Sequence, residues 1–136
     1  MGERRKLLAI VEQGGYPNFT TLYQSCGFEV VMQFNMRKAL NSLRKSLPDV
    51  IIAEFNHQSD FRDRTSSLES LLATVERLSH SAGQPVKVVV FYELLYQTQL
   101  EKLQSMFNNF EVMAYPIDEA QLRVRIGCNS DDGLSN

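Results

Sequence analysis

The regular alternation of strand-like and helix-like segments along the chain is the feature that most constrains its fold. Short apolar runs rich in Val, Ile and Phe alternate with segments whose apolar residues recur at helical spacing. The strand-like runs are predicted at 7–11, 28–34, 50–55, 86–92 and 110–114. The third and fourth runs are continuously apolar over most of their length, which is typical of parallel strands covered by helices on both faces. The order therefore predicts an α/β fold around a parallel five-stranded sheet.

Local signals predict where the intervening helices begin and which side chains they bury. Asn35 and Asp118 are predicted to cap the second and fifth helices. The segment Ser66-Ser67-Leu68-Glu69 has the pattern of a capping box that would open the third helix. The first helix is predicted over 18–26 and the fourth over 97–107. The inward residues predicted for the fourth helix are Leu100, Leu103, Met106 and Phe107.

Length and charge bound the classes of protein to which this chain can belong. Its 136 residues fit one domain, predicted over 1–126, followed by a polar tail at 127–136 that reads as disordered or as the stub of a linker. A net charge of −2 does not favour a nucleic-acid partner. No apolar run has the length of a membrane span, and the first one ends at Glu12, too early for a signal peptide. We therefore expect a cytoplasmic protein without a membrane or nucleic-acid partner.

The two cysteines, Cys26 and Cys128, are too few for a disulfide framework and form no Cys-x-x-Cys or Cys/His cluster. They are predicted to be free thiols, one on a helix face and one in the loose tail. The polar stretch after the third strand contains His57, Asp60 and Asp63 with neighbouring arginines. It is predicted to be a solvated loop with local ion pairs rather than a metal or catalytic cluster.

Three segments resemble the response-regulator receiver family. Pro48-Asp49-Val50-Ile51-Ile52-Ala53-Glu54 resembles its third strand, where Pro-Asp and four apolar residues precede the phospho-accepting Asp. Tyr115-Pro116-Ile117 with the acidic helix start at Asp118 resembles the end of its fifth strand, where the family has Lys-Pro-Phe. Leu8-Ala9-Ile10-Val11-Glu12-Gln13 resembles its first strand with the trailing acidic pair. The resemblance extends from Lys6 to Ile126.

The resemblance implies a three-layer, flavodoxin-like (βα)5 sandwich with strand order 2-1-3-4-5 and a site at the carboxyl ends of the strands. Glu12 and Gln13 fall where the family has two acids that hold Mg²⁺, and Glu54 falls on the phospho-accepting Asp. Tyr115, before Pro116, replaces the Lys of the family. Glu54 is open to two interpretations, a permanent imitation of a phosphorylated Asp or a tolerated polar residue at a strand end.

Two further family positions are also changed. The Thr or Ser that ends the fourth strand falls on Val90 or Phe91, depending on alignment, and neither has a hydroxyl. The aromatic switch residue, three positions before the family's Lys, falls on Val112. Phosphoryl transfer needs a metal ion and a cation on the developing charge. We therefore expect no enzymatic activity, no cofactor and no bound metal.

A complete receiver-like frame with an altered site predicts a phosphorylation-independent signalling or scaffolding module that acts by protein–protein contact. Its interface is predicted near Tyr92, Tyr96 and Val112, and a homodimer through the face of the fourth and fifth helices is one form of that contact. Two alternatives stay open. One is a small-molecule-sensing pseudo-receiver whose pocket lies near Glu12 and Glu54, with Tyr92 and Tyr115 lining it, and the other is a receiver-like N-terminal domain of a longer regulator.

Overall fold

The computed structural model of the chain describes residues 5–11, 19–55 and 63–128. The strands in this part are β1 (Arg5–Ile10), β2 (Phe28–Gln33), β3 (Val50–Phe55), β4 (Lys87–Tyr92) and β5 (Glu111–Ala114). The α-helices are α1 (Thr20–Ser25), α2 (Met36–Lys45), α3 (Asp63–Ala82), α4 (Gln97–Met106) and α5 (Glu119–Arg125), and a 3₁₀ turn (Leu94–Tyr96) precedes α4. Strands and helices alternate, as the sequence predicts. No helix in these ranges is both long enough and apolar enough to cross a membrane.

The strands form one sheet in the order β2-β1-β3-β4-β5, and each neighbouring pair is parallel. This confirms the predicted fold class and strand order. Central strands of such a sheet are covered on both faces, which explains their nearly continuous apolar sequence. All the carboxyl ends of the strands meet at one edge of the sheet, here called the carboxyl edge, and all the amino ends meet at the opposite one, the amino edge.

Alternate residues of each strand enter two separate cores, one on each face of the sheet. The core under α1 and α5 contains strand residues such as Ile52, Val89 and Phe91 together with helix residues such as Leu22 and Leu122. The other core lies under α2, α3 and α4 and contains the intervening strand residues. Its largest members include Ile51, Val90, Tyr92, Leu43, Leu71, Leu72, Leu100 and Leu103.

Two of the predicted helix starts are confirmed, and one is wrong. The Asn35 side chain accepts a hydrogen bond from the Lys38 amide at 2.8 Å, and the Asp118 carboxylate accepts one from the Ala120 amide at 2.8 Å. The capping box at 66–69 does not open α3, because that helix already begins at Asp63. The helix starts earlier than predicted because polar residues and an acid are well tolerated in the first turn of a helix.

The prediction that Met106 faces the core is also wrong. Its side chain is 58% exposed, whereas Leu100 and Leu103 are buried. The helix ends at Met106, and Phe107 continues in an extended conformation and packs against the core instead. Phe107 is therefore the apolar residue that packs against the core at this end of α4, and Met106 is exposed to solvent.

The prediction of two free thiols is wrong as well. Cys26 and Cys128 form a disulfide bond with a Cα–Cα distance of 5.1 Å and a sequence separation of 102. In this topology α1 and α5 cover the same face of the sheet, and both helices end at the amino edge. The pairing therefore depends on tertiary structure, which neither the number nor the spacing of the cysteines reveals.

Candidate functional site

The carboxyl edge brings together three of the predicted site residues from three different segments. Glu54 is the fifth residue of β3, Phe91 is the fifth residue of β4, and Tyr115 directly follows β5. The register of the sheet places Glu54 opposite Phe91, and Phe91 opposite Met113. Residues paired across neighbouring parallel strands point to the same face of a sheet. Glu54 and Phe91 therefore share the face that α1 and α5 cover.

The register shows which of the two residues left open by the alignment, Val90 or Phe91, lies beside Glu54. Val90 pairs with Ala53 and belongs to the core on the opposite face, whereas Phe91 pairs with Glu54. Phe91 is thus the β4 residue beside the position of the family's phospho-acceptor. The residue placed there has an apolar ring of which only 1% is exposed.

Among the described residues, Glu54 and Phe91 contact aromatic and phenolic side chains. The Tyr115 hydroxyl donates a hydrogen bond to Glu54 Oε2 at 3.5 Å, which is long for a bond between two oxygen atoms. The Phe91 ring contacts the ring of Tyr115 edge to face, with 6.0 Å between centroids, and that of Phe19 in the same way at 6.1 Å. Such edge-to-face pairs are a favourable arrangement of aromatic quadrupoles. The rings of Phe19, Phe91 and Tyr115 therefore pack together, and the surface that they form beside Glu54 is largely apolar.

Tyr115 is held against β4 by its backbone as well as by its ring. Its amide N–H donates to the Tyr92 carbonyl at 2.8 Å, which extends the contact between β4 and β5 by one residue. Pro116 follows through a cis peptide bond and is exposed. The Tyr115 phenol therefore reaches Glu54 from a fixed backbone position.

Some of the predicted site residues lie outside the part of the chain that the structure describes. Glu12 and Gln13, the positions of the family's acidic pair, are among them, as are His57 and Asp60 of the polar stretch. The polar stretch was predicted to be a loop, but its last residues, from Asp63 onward, belong to α3.

The described residues around Glu54 do not fit a Mg²⁺ ion. A hard divalent ion takes several oxygen ligands, most of them anionic or carbonyl oxygens, at short distances. The described surroundings supply one carboxylate, from Glu54, beside the phenol of Tyr115 and the apolar ring of Phe91. Within residues 5–11, 19–55 and 63–128, no three His, Cys, Asp or Glu side chains are grouped as metal ligands would be.

The predicted interface residues lie on the opposite face of the sheet from Glu54. Tyr92 belongs to the core under α3 and α4 and is only 8% exposed, so it is not an exposed aromatic anchor. Its position in β4 alternates with that of Phe91, and this directs its ring inward. Tyr96 and Val112 are half-buried against the same core. These contacts leave them little apolar surface of their own to offer a partner.

Sequence reasoning missed the apolar side chains that are exposed beside this core. Leu94 and Leu95, in the 3₁₀ turn after β4, are 60% and 75% exposed, and Met106 at the end of α4 is 58% exposed. A signal was available in the sequence Glu93-Leu94-Leu95-Tyr96, because a single turn cannot bury consecutive large residues on one side. Exposed leucines at such a density mark a candidate contact surface.

Solved structures of receiver domains superimpose on this chain over nearly its whole length. A response-regulator receiver domain protein from Clostridium thermocellum has a TM-score of 0.68 and 15% identity, and the match covers 96% of this chain and 99% of that one. A sensor protein from Polaromonas sp. JS666 has a TM-score of 0.64 and 18% identity, over 96% and 98% of the two chains. The chemotaxis protein CheY4 of Vibrio cholerae has a TM-score of 0.61 and 17% identity, over 92% and 98%.

These likenesses show that the chain has the receiver fold. Their identities are too low to carry an activity from one protein to the other. No protein-family model matches the sequence, and no curated protein matches it.

Proposed function

We propose that this receiver-fold chain is a cytoplasmic signalling or scaffolding module that works by protein–protein contact and without phosphorylation. The single observation that carries the proposal is the packing beside Glu54, where Phe91 lies 1% exposed in register with it and Tyr115 donates to its carboxylate. A phosphoryl group on position 54 would meet an aromatic ring where phosphotransfer chemistry requires cations and hydrogen-bond donors.

The electrostatics of the site support the same conclusion. Phosphoryl transfer depends on stabilising the charge that develops on the transferred oxygens, and metal ions and ammonium or guanidinium groups supply that stabilisation. The Tyr115 phenol offers one neutral donor, and its hydrogen bond to Glu54 is already long at 3.5 Å. The Glu54 side chain also has one methylene more than the Asp it replaces. Its carboxylate therefore lies further from the end of β3 than an acceptor Asp would.

The exposed leucines support contact with a protein partner. Leu94 and Leu95 lie between β4 and α4, and Met106 ends α4. Leu94 and Leu95, each more than half exposed, would lose contact with water on binding, whereas Met106 lies at the other end of α4. A homodimer through this surface is the specific form of contact that we propose.

The ligand-sensing and longer-regulator alternatives stay predictions, since the first depends on a pocket that includes Glu12 and the second on sequence outside this chain.

The proposal is tested by incubating the protein with Mg²⁺ and acetyl phosphate. Mass spectrometry of the intact chain then detects an adduct, and light scattering measures the oligomeric state. We expect no phosphoryl adduct and an unchanged oligomeric state. The matched variant carries Glu54→Asp, Phe91→Thr and Tyr115→Lys together, which restores the groups that the family uses at these positions. Formation of an adduct on this variant alone would show that the assay detects transfer and that these side chains prevent it.

The contact surface is tested in the same light-scattering experiment. Leu95→Glu places a charge on the most exposed leucine and is expected to shift a dimer toward monomer. Phe34→Glu is the control, since Phe34 is 64% exposed but follows β2, at the opposite side of the sheet.

A phosphoryl adduct on wild-type Glu54 would refute the proposal that the chain works without phosphorylation. A wild-type protein that is monomeric at high concentration would refute the homodimer.

A further inference from the structure

Two helix ends at the amino edge of the sheet bring Cys26 and Cys128 together. The C-terminus of α5 is a Schellman motif, in which the Gly127 amide donates to the Val124 carbonyl at 3.1 Å and the Cys128 amide to the Arg123 carbonyl at 2.9 Å. Gly127 has the positive φ of 76° that this motif requires. The backbone position of Cys128 is therefore set by hydrogen bonds within its own helix end.

Cys26 is fixed in a comparable way at the end of α1. Its amide donates to the Leu22 carbonyl at 3.1 Å, and Gly27 then turns the chain into β2 with a φ of 91°. The two cysteine backbones are thus held by local hydrogen bonds that do not involve sulfur. We expect the two thiols to stay close together when the bond between them is reduced.

A guanidinium group lies beside both sulfur atoms. Arg123 Nη1 is 3.8 Å from Cys26 Sγ and 3.9 Å from Cys128 Sγ. Both cysteines are half-buried, so solvent reaches them but screens this charge only in part. A positive charge next to sulfur favours the thiolate, which is the form that attacks a disulfide. The partial negative charge of the two helix C-termini acts in the opposite direction.

The guanidinium of Arg5 reduces the effect of the helix dipole at the C-terminus of α5. Arg5 donates from Nη1 to the Gly127 carbonyl at 2.9 Å and from Nη2 to the Ile126 carbonyl at 3.2 Å. A Cβ atom at position 127 would come within 3.2 Å of Arg5 Nη2, so the glycine also lets this side chain approach. Arg5 thus offsets the partial negative charge of these carbonyls, and among the described residues Arg123 is the charged group in contact with both sulfur atoms.

We propose that Cys26 and Cys128 are a reversible redox modification site, which exchanges between dithiol and disulfide with low-molecular-weight thiols and disulfides of the glutathione type. In the oxidising direction, one cysteine thiolate attacks the small disulfide, forms a mixed disulfide and releases one small thiolate. The other cysteine, as its thiolate, then attacks the protein sulfur of the mixed disulfide and releases the second small thiolate. The protein gives up two electrons and two protons, and the small disulfide becomes two thiols. This proposal is independent of phosphorylation at Glu54, which lies at the opposite edge of the sheet.

Such an exchange changes how the end of the domain is held. In the oxidised form α5 is tied covalently to α1. In the reduced form its end is held by the Arg5 hydrogen bonds and by the buried side chain of Ile126. Disulfides in reducing compartments are mostly transient or redox-sensing rather than permanent. A reversible pair is therefore the form of this bond that agrees with a cytoplasmic protein.

The proposal is tested by equilibrating the whole chain in buffers of graded reduced and oxidised glutathione, trapping free thiols with iodoacetamide and counting the labels by mass spectrometry. We expect both cysteines to change together, from two labels to none, within the range of these buffers. A chain that stays fully oxidised, or fully reduced, across the range would overturn the proposal.

The role of Arg123 is tested by the rate at which the reduced protein reacts with iodoacetamide at neutral pH. Arg123→Gln is expected to slow this reaction about three- to tenfold, because it removes the charge that stabilises the thiolate. Arg125→Gln is the matched control, since it removes a guanidinium from the same helix end that pairs with Glu111 instead. Circular dichroism verifies that both variants are folded. Equal rates of iodoacetamide reaction in both variants would overturn the role of Arg123. If either variant fails to fold, the glutathione titration of the wild-type chain still tests the redox site.

Discussion

The contacts described at the two edges of the sheet differ in kind. At the amino edge the contacts are covalent and ionic, and they include the Cys26–Cys128 bond, the Arg5 hydrogen bonds to the end of α5, and the ion pairs of Glu111 with Lys87 and Arg125. At the carboxyl edge the described contacts are aromatic rings around one carboxylate. The described ion pairs and the disulfide thus lie at the edge opposite to the one where the receiver family performs its chemistry.

The topology gives a physical reason for part of this difference. In a parallel sheet with right-handed crossovers, the C-termini of the helices lie at the amino edge and present unpaired carbonyl groups. Arginine side chains satisfy such carbonyls and interact favourably with the negative end of the helix dipole. Arg5 does so at α5, and α2 and α5 both carry basic residues in their last turns.

Truncating the aromatic packing at the carboxyl edge is expected to have the largest effect. Phe91→Ala removes a ring that is 1% exposed and contacts Phe19 and Tyr115, so it leaves a cavity. We expect the free energy of unfolding to fall by about 3–5 kcal/mol. Urea denaturation followed by circular dichroism measures this change.

The control for that variant is Phe34→Ala, in which the truncated ring is 64% exposed. Its expected cost is within about 0.5 kcal/mol of zero. Similar costs for the two variants would mean that Phe91 is not packed as the structure has it, and the contrast between the two edges would lose its basis.

Removing the arginine at the amino edge is expected to have an intermediate effect. Arg5→Ala deletes two hydrogen bonds to carbonyl groups at the end of α5 and a cation–π contact in which the guanidinium carbon lies 4.5 Å from the centre of the Phe28 ring. We expect a loss of about 1–2 kcal/mol in the same urea experiment, because each of these contacts is partly exposed.

Arg5→Lys is the matched variant for this prediction. Lysine keeps the charge but lacks the planar guanidinium that donates to both carbonyls at once. We therefore expect Arg5→Lys to lose more than half as much unfolding free energy as Arg5→Ala. Full recovery by lysine would indicate that charge alone, rather than paired hydrogen bonding, holds the end of α5.

The ion pairs of Glu111 are expected to have the smallest effect. The hydrogen bond from Arg125 and the nearby Lys87 lower the pKa of the Glu111 carboxyl below its ordinary value. A lowered pKa in the folded state stabilises the protein above the unfolded pKa, and that stabilisation is lost as the pH falls through the folded value. Because the Glu111 side chain is 36% exposed, we expect Glu111→Gln to cost less than about 1 kcal/mol at neutral pH.

The measurement for Glu111 is the difference in the free energy of unfolding between wild type and Glu111→Gln as a function of pH. The difference should shrink toward zero as the pH falls through the lowered pKa of Glu111 in the folded state, because below it the carboxyl is protonated in both folded and unfolded states. A difference that is constant with pH would show that the ion pairs contribute nothing to stability.

The sequence predicted the elements whose signals are local. The third strand, 50–55, is found with the same bounds, and the caps at Asn35 and Asp118 make the expected hydrogen bonds. The capping box at 66–69 failed because the same pattern can occur inside a helix, and only the residues before it determine where the helix begins. The strand order followed from the family resemblance, since periodicity alone carries no information about which strands are neighbours.

The candidate site was predictable where it depends on strand ends and not where it depends on packing. Glu54, Phe91 and Tyr115 meet because parallel strands end at one edge, whereas only the register of β3 and β4 shows that Phe91 and not Val90 pairs with Glu54. The sequence did not reveal that Tyr92 points away from Glu54. The disulfide was missed for a similar reason, because two residues separated by 102 positions become neighbours only when α1 and α5 share one face.

The same 102-position separation has a mechanical consequence. In the oxidised chain everything from β2 to α5 lies within a covalently closed ring, and only β1 and α1, together with the ends of the chain, lie outside it. An unfolding motor that threads polypeptide through a narrow pore from the C-terminal end would meet that ring immediately beyond Cys128. Until the bond was reduced it would have to draw three chain segments through the pore side by side, namely the one before Cys128 and the two on either side of Cys26.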